Sequence, residues 1–319
     1  MRMSPRFSPR RALGRTGFVA TQIGIGDLAD RNVALETCVA TLRRALDFGL
    51  NLVDTAPSYE DGYSEQVVGQ ALAGRREGVF LIDKVDHFDR AVNDQVGASL
   101  ARLQLPSVDA FVMHGLRDPE QWRELAKPGG RFEELEAVVK SGQARFCGIS
   151  AHHPEVLRAA IESGRCDVVM FPLGPFVDER YVTEILPLAR ARNVGSVCFK
   201  AFGAGKLLGD TAGYNQPLEA RPRGKWSSGG QAAREDGTLP RLSVQDCVSY
   251  TLTCDPDVTL LGMSYPNEQD AALAAAEAFT PLGAAELARI REAAALAIRG
   301  KGPCWWNPDP LAGTELLAE

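Results

Sequence analysis

The sequence predicts a (β/α)8 TIM barrel, and three observations carry that prediction. Its 319 residues exceed one average domain but suit such a barrel, which needs about 250 residues plus insertions. Eight short apolar runs recur along the chain with helical patterns between them, the signature of a parallel sheet with right-handed crossovers. The rival, an open doubly wound sheet, calls for a Gly-x-Gly-x-x-Gly turn after an early strand. Here Gly24-Ile25-Gly26 runs on into Asp27-Leu28-Ala29, so that fingerprint is incomplete. One domain over residues 1–319 is expected.

The elements follow in order. VATQIGIG (19–26) is the first strand, and a helix follows over about 32–49. NLVDTA (51–56) is a buried strand. SEQVVGQALAG (64–74) is a helix with Ser64 as its N-cap and Gly74 past its end. VFLIDKV (79–85) is the third strand, followed by a helix over 89–105 whose apolar residues step by three and four. VDAFVMH (108–114) is the fourth strand, and one long helix is expected over roughly 119–142, ending at Ser141-Gly142. RFCGIS (145–150), VVMF (168–171), VGSVCF (194–199) and VTLLGM (258–263) complete the eight strands. Helices at about 154–163, 178–193, 243–253 and 267–278 accompany them. Two stretches break the rhythm. Residues 209–240 are rich in Gly, Pro and charge without apolar period, a long loop after the seventh strand. PLGAAELARIREAAALAIRG then reads as an extra C-terminal helix, with the tail KGPCWWNPDP behind it.

Composition narrows the function. Hydrophobic residues make up 45% and charged residues 24%, enough apolar material for a large core. The formal charge of −6 and the lack of a basic stripe argue against nucleic acid as a partner. No apolar run is long enough for a transmembrane helix. Arg10-Arg11 is followed by Gly14, Arg15, Thr16 and Gly17, not by the apolar stretch an export signal requires. The protein is therefore read as cytoplasmic, with no membrane partner. The seven cysteines are scattered and form no Cys-x-x-Cys pair, so no metal site is expected.

In this fold the active site lies at the C-terminal ends of the strands. Asp54 ends one strand and Tyr59 lies on the loop after it. Lys84 ends the next strand and His114 the one after. Each alone has an ordinary reading as a salt bridge or a satisfied polar group; together they suggest chemistry. A phenol has a pKa near ~10, and a nearby ammonium lowers it. A buried lysine needs a carboxylate to keep its charge, which Asp54 can provide for Lys84. His114 can orient a substrate oxygen. A phenol acid with a carbonyl-orienting imidazole suits carbonyl reduction by hydride transfer.

These residues resemble the aldo-keto reductases. The likeness begins with RALGRTGFVATQIGIG, similar to that family's N-terminal β-hairpin and first strand. It continues through NLVDTAPSYEDGYSEQVVGQAL, IDKV, SVDAFVMHG, KSGQARFCGIS and FGAGKLLGD. It implies a tetrad of Asp54, Tyr59, Lys84 and His114, with Tyr59 as general acid, its pKa lowered by Lys84. It implies NADP(H) as cofactor, with NAD(H) the alternative, since no Lys or Arg occurs between Asp255 and Ala288. Arg221, Arg223 or Lys225 on the long loop is then the source of charge for a 2′-phosphate. Cofactor contacts are implied for Asp54, Ser150, Met170 (where the family has glutamine), Phe199 and the turn Lys200, Ala201, Gly203, Gly205, Lys206 and Leu207. Gly262, Ser264 and Gln269 complete that set. Ala151 stands in the place of an asparagine, for which His152 or His153 compensates unless it caps the next helix. Lys206 either adds charge at the pyrophosphate or points to solvent. Tyr59 and His114 would touch a small carbonyl, alcohol or sugar substrate. Trp305 and Trp306 would close over the mouth, or else pack on the barrel wall; Trp122 and Phe88 are weaker candidates. The oxidative direction, a cofactor-binding regulatory subunit and a Schiff-base aldolase using Lys84 are the alternative readings.

Overall fold

The computed structural model describes residues 9–208 and 241–299, together with 304, 306 and 307. The long loop 209–240, Gly300 and Trp305 lie outside the described residues. A hairpin of β1 (Arg10–Ala12) and β2 (Val19–Thr21) comes first. Eight parallel strands then close into a barrel in the order β10-β3-β4-β5-β6-β7-β8-β9. They are β3 (Ile23–Ile25), β4 (Leu52–Asp54), β5 (Phe80–Val85), β6 (Ala110–Leu116), β7 (Phe146–Ala151), β8 (Val168–Pro172), β9 (Gly195–Phe199) and β10 (Val258–Leu261). Outside run α1 (Leu35–Asp47), α2 (Tyr63–Leu72), α3 (Val92–Leu103), α4 (Pro119–Ala126), α5 (Arg131–Lys140) and α6 (Pro154–Glu162). They are followed by α7 (Leu186–Ala191, with one π-helical turn before it), α8 (Val244–Thr253), α9 (Pro266–Glu277) and α10 (Ala284–Ile298). None of the described helices is long and apolar enough to cross a membrane.

Two apolar layers follow from the two-residue period of a strand. On β5, Phe80 and Ile82 belong to the cluster inside the barrel, whereas Leu81 and Val85 belong to the larger cluster between strands and helices. The hairpin supplies the floor: Leu13 joins the inner cluster, and the Phe18 ring lies 5.2 Å from that of Phe80. Phe80 stacks in turn on Phe146 at 6.0 Å. The hairpin thus plugs the N-terminal end of the barrel interior.

The strand expectations all find an element, with three local corrections. The run 19–26 is two strands: Val19–Thr21 pairs with the hairpin and Ile23–Ile25 enters the barrel. The helix expected over 119–142 is two, because Lys127-Pro128-Gly129-Gly130 separates α4 from α5. Proline lacks the N–H a continuing helix needs, and Gly129 sits at φ 73°. Ser64 is no cap: Gly62 precedes α2, and the Ser64 hydroxyl accepts from Thr55 Oγ1 at 2.9 Å.

Helix α2 packs tightly on α3, and Gly69 is the contact that permits it. A Cβ there would sit 2.1 Å from the Leu103 carbonyl oxygen. Gly→Ala inside a helix ordinarily stabilises by about 0.5–1 kcal/mol; here the clash reverses the sign. Gly69→Ala should lower stability in urea titrations by about 1–3 kcal/mol. Gly97→Ala, on α3 with nothing within 4 Å, should raise it by up to about 1 kcal/mol. Equal shifts for the two variants would contradict this packing.

Candidate active site

The strand period that builds the inner core also delivers the polar residues. Two positions beyond Leu52, Ile82 and Val112, all inside the barrel, stand Asp54, Lys84 and His114. The same step leads from Gly148 to Ser150, from Val168 to Met170 and from Val197 to Phe199. The open rim is thus lined by six neighbouring strands, each contributing one inward residue.

Three of the four tetrad candidates meet there with Tyr59. Lys84 is 1% exposed and Asp54 4% exposed, so both charges are buried. The Lys84 ammonium donates to Asp54 Oδ1 at 2.5 Å and to the Thr55 carbonyl at 2.7 Å. It lies 4.3 Å from the centre of the Tyr59 ring. The His114 ring meets Tyr59 edge-on, with centroids 5.7 Å apart. Ion pair, phenol and imidazole therefore form one contiguous cluster.

The loop that presents Tyr59 is strained and braced. Glu60 and Asp61 adopt φ of 53° and 52°, left-handed values that cost a non-glycine residue about 1 kcal/mol or more each. Gly62 continues the run at φ 82° before α2 starts. Arg31, from the segment after β3, holds this turn: it reaches Glu60 Oε2 at 3.3 Å and Asp61 Oδ2 at 2.7 Å. The chain reversal aims the tyrosine inward, over the lysine.

A further carboxylate, not anticipated from the sequence, completes the cluster. Asp86 follows β5 and contacts His114 Nδ1 through Oδ1, while Oδ2 accepts the Ser58 backbone N–H at 2.8 Å. Burial opposes its ionisation, yet His114 and the donors of Ser58 outweigh that and bring its pKa down to about 2. Asp86 sits two residues past Lys84, on the same inward side; the end-of-strand rule stops one residue short of it.

Electrostatics correct one expectation. Lys84 was expected to pull the Tyr59 phenol down. Instead burial, reinforced by Asp54, Asp27, Asp86 and Asp83, pushes it well above its usual value. Burial also raises the Asp54 carboxyl, against the pull of Lys84. The nearby ammonium does not outweigh burial and the surrounding carboxyl groups.

The other candidate residues occupy the far half of the rim. Ser150 and Met170 are paired in register on β7 and β8, and both are buried. Phe199 ends β9, with the His152 ring 5.2 Å away. Burial, then the charges of Lys200 and His114, brings His152 down to about 3. His153 instead caps α6, accepting from the Glu155 N–H at 3.3 Å. The turn after β9 is left-handed at Lys200, Gly203, Ala204 and Gly205; Ala201 and Leu207 are buried beside it. Lys206 does not point to solvent: it is 1% exposed, with Nζ 5.8 Å from the Trp306 ring. Trp306 is fully buried and donates to the Phe176 carbonyl at 3.4 Å, which makes it part of the wall. After β10, Gly262 faces the Asp27 carbonyl, and the Ser264 N–H donates to Glu268 at 2.8 Å. Gln269 is buried and ties α9 to α1, donating to the Thr41 carbonyl at 2.9 Å and accepting from Arg44 at 2.8 Å. Trp122 packs on Phe132 at 5.2 Å between helices, away from the rim.

A closed parallel barrel with a buried acid–ammonium–phenol–imidazole cluster at its C-terminal rim defines the class of barrel proteins that carry their site on the strand ends. Comparison with known proteins is specific: residues 21–295 match the model of the aldo/keto reductase family. The chain belongs to that family. It is 29% identical to the aldo-keto reductase YhdN of Bacillus subtilis over 221 residues, 62% of this chain and 63% of that protein. The match to the uncharacterized oxidoreductase YqkF of Bacillus subtilis likewise spans 63% of that relative's length. It is 26% identical to an NADH-specific methylglyoxal reductase of Escherichia coli over 67% of this chain and 71% of the relative. Among solved structures, aldo-keto reductase AKR11C1 of Bacillus halodurans in its holo form superposes with a TM-score of 0.68 at 25% identity. That superposition covers 89% of this chain and 95% of the other.

The depressed Asp86 carboxyl carries a pH consequence. A folded-state pKa below the unfolded one adds stability that is present above the unfolded value and is lost as pH falls through the folded value. A drop from 3.8 to about 2 corresponds to about 2 kcal/mol. Replacing Asp86 by alanine should therefore destabilise the fold by about that amount near pH 7. The gap between the two proteins should narrow as urea titrations move from pH 5 toward pH 3; a gap constant over that range would contradict the assignment.

Proposed function

We propose that the protein is an NAD(P)H-dependent oxidoreductase that reduces an aldehyde or ketone, with Tyr59 as the general acid. The observation that carries this reading is the Lys84 ammonium 4.3 Å beneath the Tyr59 ring, locked to buried Asp54, with His114 edge-on at the open rim. The residues fit a dinucleotide. In the turn after β9, Gly203 and Gly205 have positive φ and no side chain, which leaves backbone free for the close approach of a pyrophosphate. Phe199 is partly buried at the rim, and Ser150 lies on the next strand but one. Met170 and Ala151 bring no amide where the family has one.

A dinucleotide held by Ser150, Phe199 and the turn after β9 would supply a hydride to the carbonyl carbon. Tyr59 gives its proton to the carbonyl oxygen, and the alcohol results. A phenol held well above its ordinary pKa keeps that proton at neutral pH, which favours the reductive role over that of a base. His114, on the strand next to Lys84, orients the oxygen. Asp54 holds the ammonium in place, so that it meets the negative charge growing on Tyr59. For the nucleotide, NADP(H) follows family habit. NAD(H) gains support from the turn after β10: residues 262–269 carry no cation, Glu268 stands there, and Arg44 is paired with Asp270 at 2.5 Å. The relative named as NADH-specific points the same way.

Tyr59→Phe should lower carbonyl reduction by on the order of 10²–10⁴-fold while NADPH and NADH affinities, read by nucleotide fluorescence, change little. Turnover of an aldehyde panel at the wild-type rate would reject Tyr59 as the acid. Failure to bind either nucleotide would reject the whole reading.

A further inference from the structure

Resting on that reading and deepening it, we propose that Asp86 is a positioning residue that fixes the proton of His114 on Nδ1, so that a carbonyl oxygen is held by the imidazolium form and an alcohol by the neutral ring. The geometry is specific. One carboxylate oxygen faces His114 Nδ1, and the other accepts from the Ser58 N–H, next to Tyr59. Asp86 is only 9% exposed and His114 21% exposed, so water does not readily replace either contact.

An ionised carboxylate accepts hydrogen bonds and donates none. With Asp86 ionised at neutral pH, the hydrogen between it and His114 belongs to Nδ1. The ring then turns Nε2 away from Asp86, and two forms remain. Neutral His114 presents a lone pair at Nε2, which accepts from an alcohol O–H. Doubly protonated His114 presents an N–H, which donates to a carbonyl oxygen. Carbonyl reduction therefore needs a proton on His114 that alcohol oxidation does not.

The charged and titratable groups around the ring and its neighbour Tyr59 are Asp27 after β3, Asp54 on β4, Tyr59 on the loop before α2, Lys84 on β5, Asp86 after it and His152 after β7. Tyr59 keeps its proton and His152 stays neutral near pH 7. Neither supplies a change of protonation in that range.

Asp86→Asn separates this role from mere bracing. The Ser58 N–H needs an acceptor and takes the amide oxygen, so the amide NH2 turns to His114 Nδ1. The neutral ring then carries its proton on Nε2 and donates to a carbonyl without a second proton. The test uses the full chain with nucleotide bound and 15N-labelled histidine. The chain holds four histidines, and the His114 signal is assigned by its loss in His114→Gln. In the wild type, Nδ1 should carry the proton at every pH from about 6 to 9, and in Asp86→Asn the proton of the neutral ring should move to Nε2. In parallel, reductive kcat/KM of the wild type should fall about tenfold per pH unit on its alkaline side, while that of Asp86→Asn changes less than about twofold over the same range. A wild-type neutral ring protonated on Nε2 overturns the proposal, as does an alkaline fall that persists unchanged in the variant. If Asp86→Asn does not fold, the wild-type tautomer alone decides. Absent turnover with an Nδ1 proton would count against the carbonyl-reductase reading and leave the tautomer assignment standing.

Discussion

The whole rim depends on a buried ammonium. Lys84 is enclosed on a strand that is buried along its length, where an unpaired charge would cost several kcal/mol. Asp54 and the Thr55 carbonyl hold it at 2.5 and 2.7 Å. Both lie on the neighbouring strand end, so the register of β4 against β5 is also the register of the ion pair. The pair is worth little as net stability, since desolvation of both partners offsets their attraction. What it secures is position. The cation sits under the Tyr59 ring, and the strained turn at Glu60 and Asp61, held from outside by Arg31, keeps that ring above it.

Around this one cation the chain gathers an excess of carboxyl groups. Asp27, Asp54, Asp83 and Asp86 all act on the Tyr59 phenol in the same direction as burial does. The result is a proton held firmly until charge develops beside it. A general acid needs its proton in the resting state and a stabilised anion afterwards. On the proposed reading, burial and the carboxylates serve the first condition and the Lys84 ammonium the second. Both act on one side chain, because the ammonium lies 4.3 Å from the centre of the Tyr59 ring and the carboxyl groups lie around it.

Much of this was legible in the sequence, and the rest was not for identifiable reasons. Alternation of apolar runs with helical patterns located every barrel strand, and the ends of three strands located Asp54, Lys84 and His114. The single strand expected at 19–26 hid a change of partner, because apolar content does not say which neighbour a strand pairs with. The single helix expected at 119–142 hid a break at Pro128 and Gly129, although proline was there to be weighed. Ser64 looked like a cap by residue type, yet the preceding left-handed residues let Gly62 begin the helix and freed the serine for Thr55. Asp86 escaped notice because its meaning lies in two partners, 28 residues away in either direction, and spacing along the chain does not reveal such a meeting. The direction of the Tyr59 shift follows first from burial and then from carboxyl groups spread over several strands, neither of which the spacing to one lysine reveals.

The neighbouring position on β5 shows what the arrangement costs. Asp83 points to the opposite side from Lys84, fully buried among the helices, and its backbone neighbour is the catalytic candidate itself: Oδ1 accepts the Lys84 N–H at 2.8 Å. Burial, then the nearby Glu65, pushes its carboxyl well above the ordinary range, and Arg102 in turn pairs with Glu65. An apolar residue would satisfy the helix-facing layer without a desolvated carboxyl, as Leu81 and Val85 do on either side. Two adjacent ionisable residues on a buried strand contradict the local rule that governs the rest of the barrel. Such a conflict is characteristic of a site whose geometry is kept for chemistry at the expense of stability. Asp83 also bonds the backbone of the residue whose side chain must not move, so the second carboxyl acts from behind the strand on the same lysine that Asp54 holds from the front.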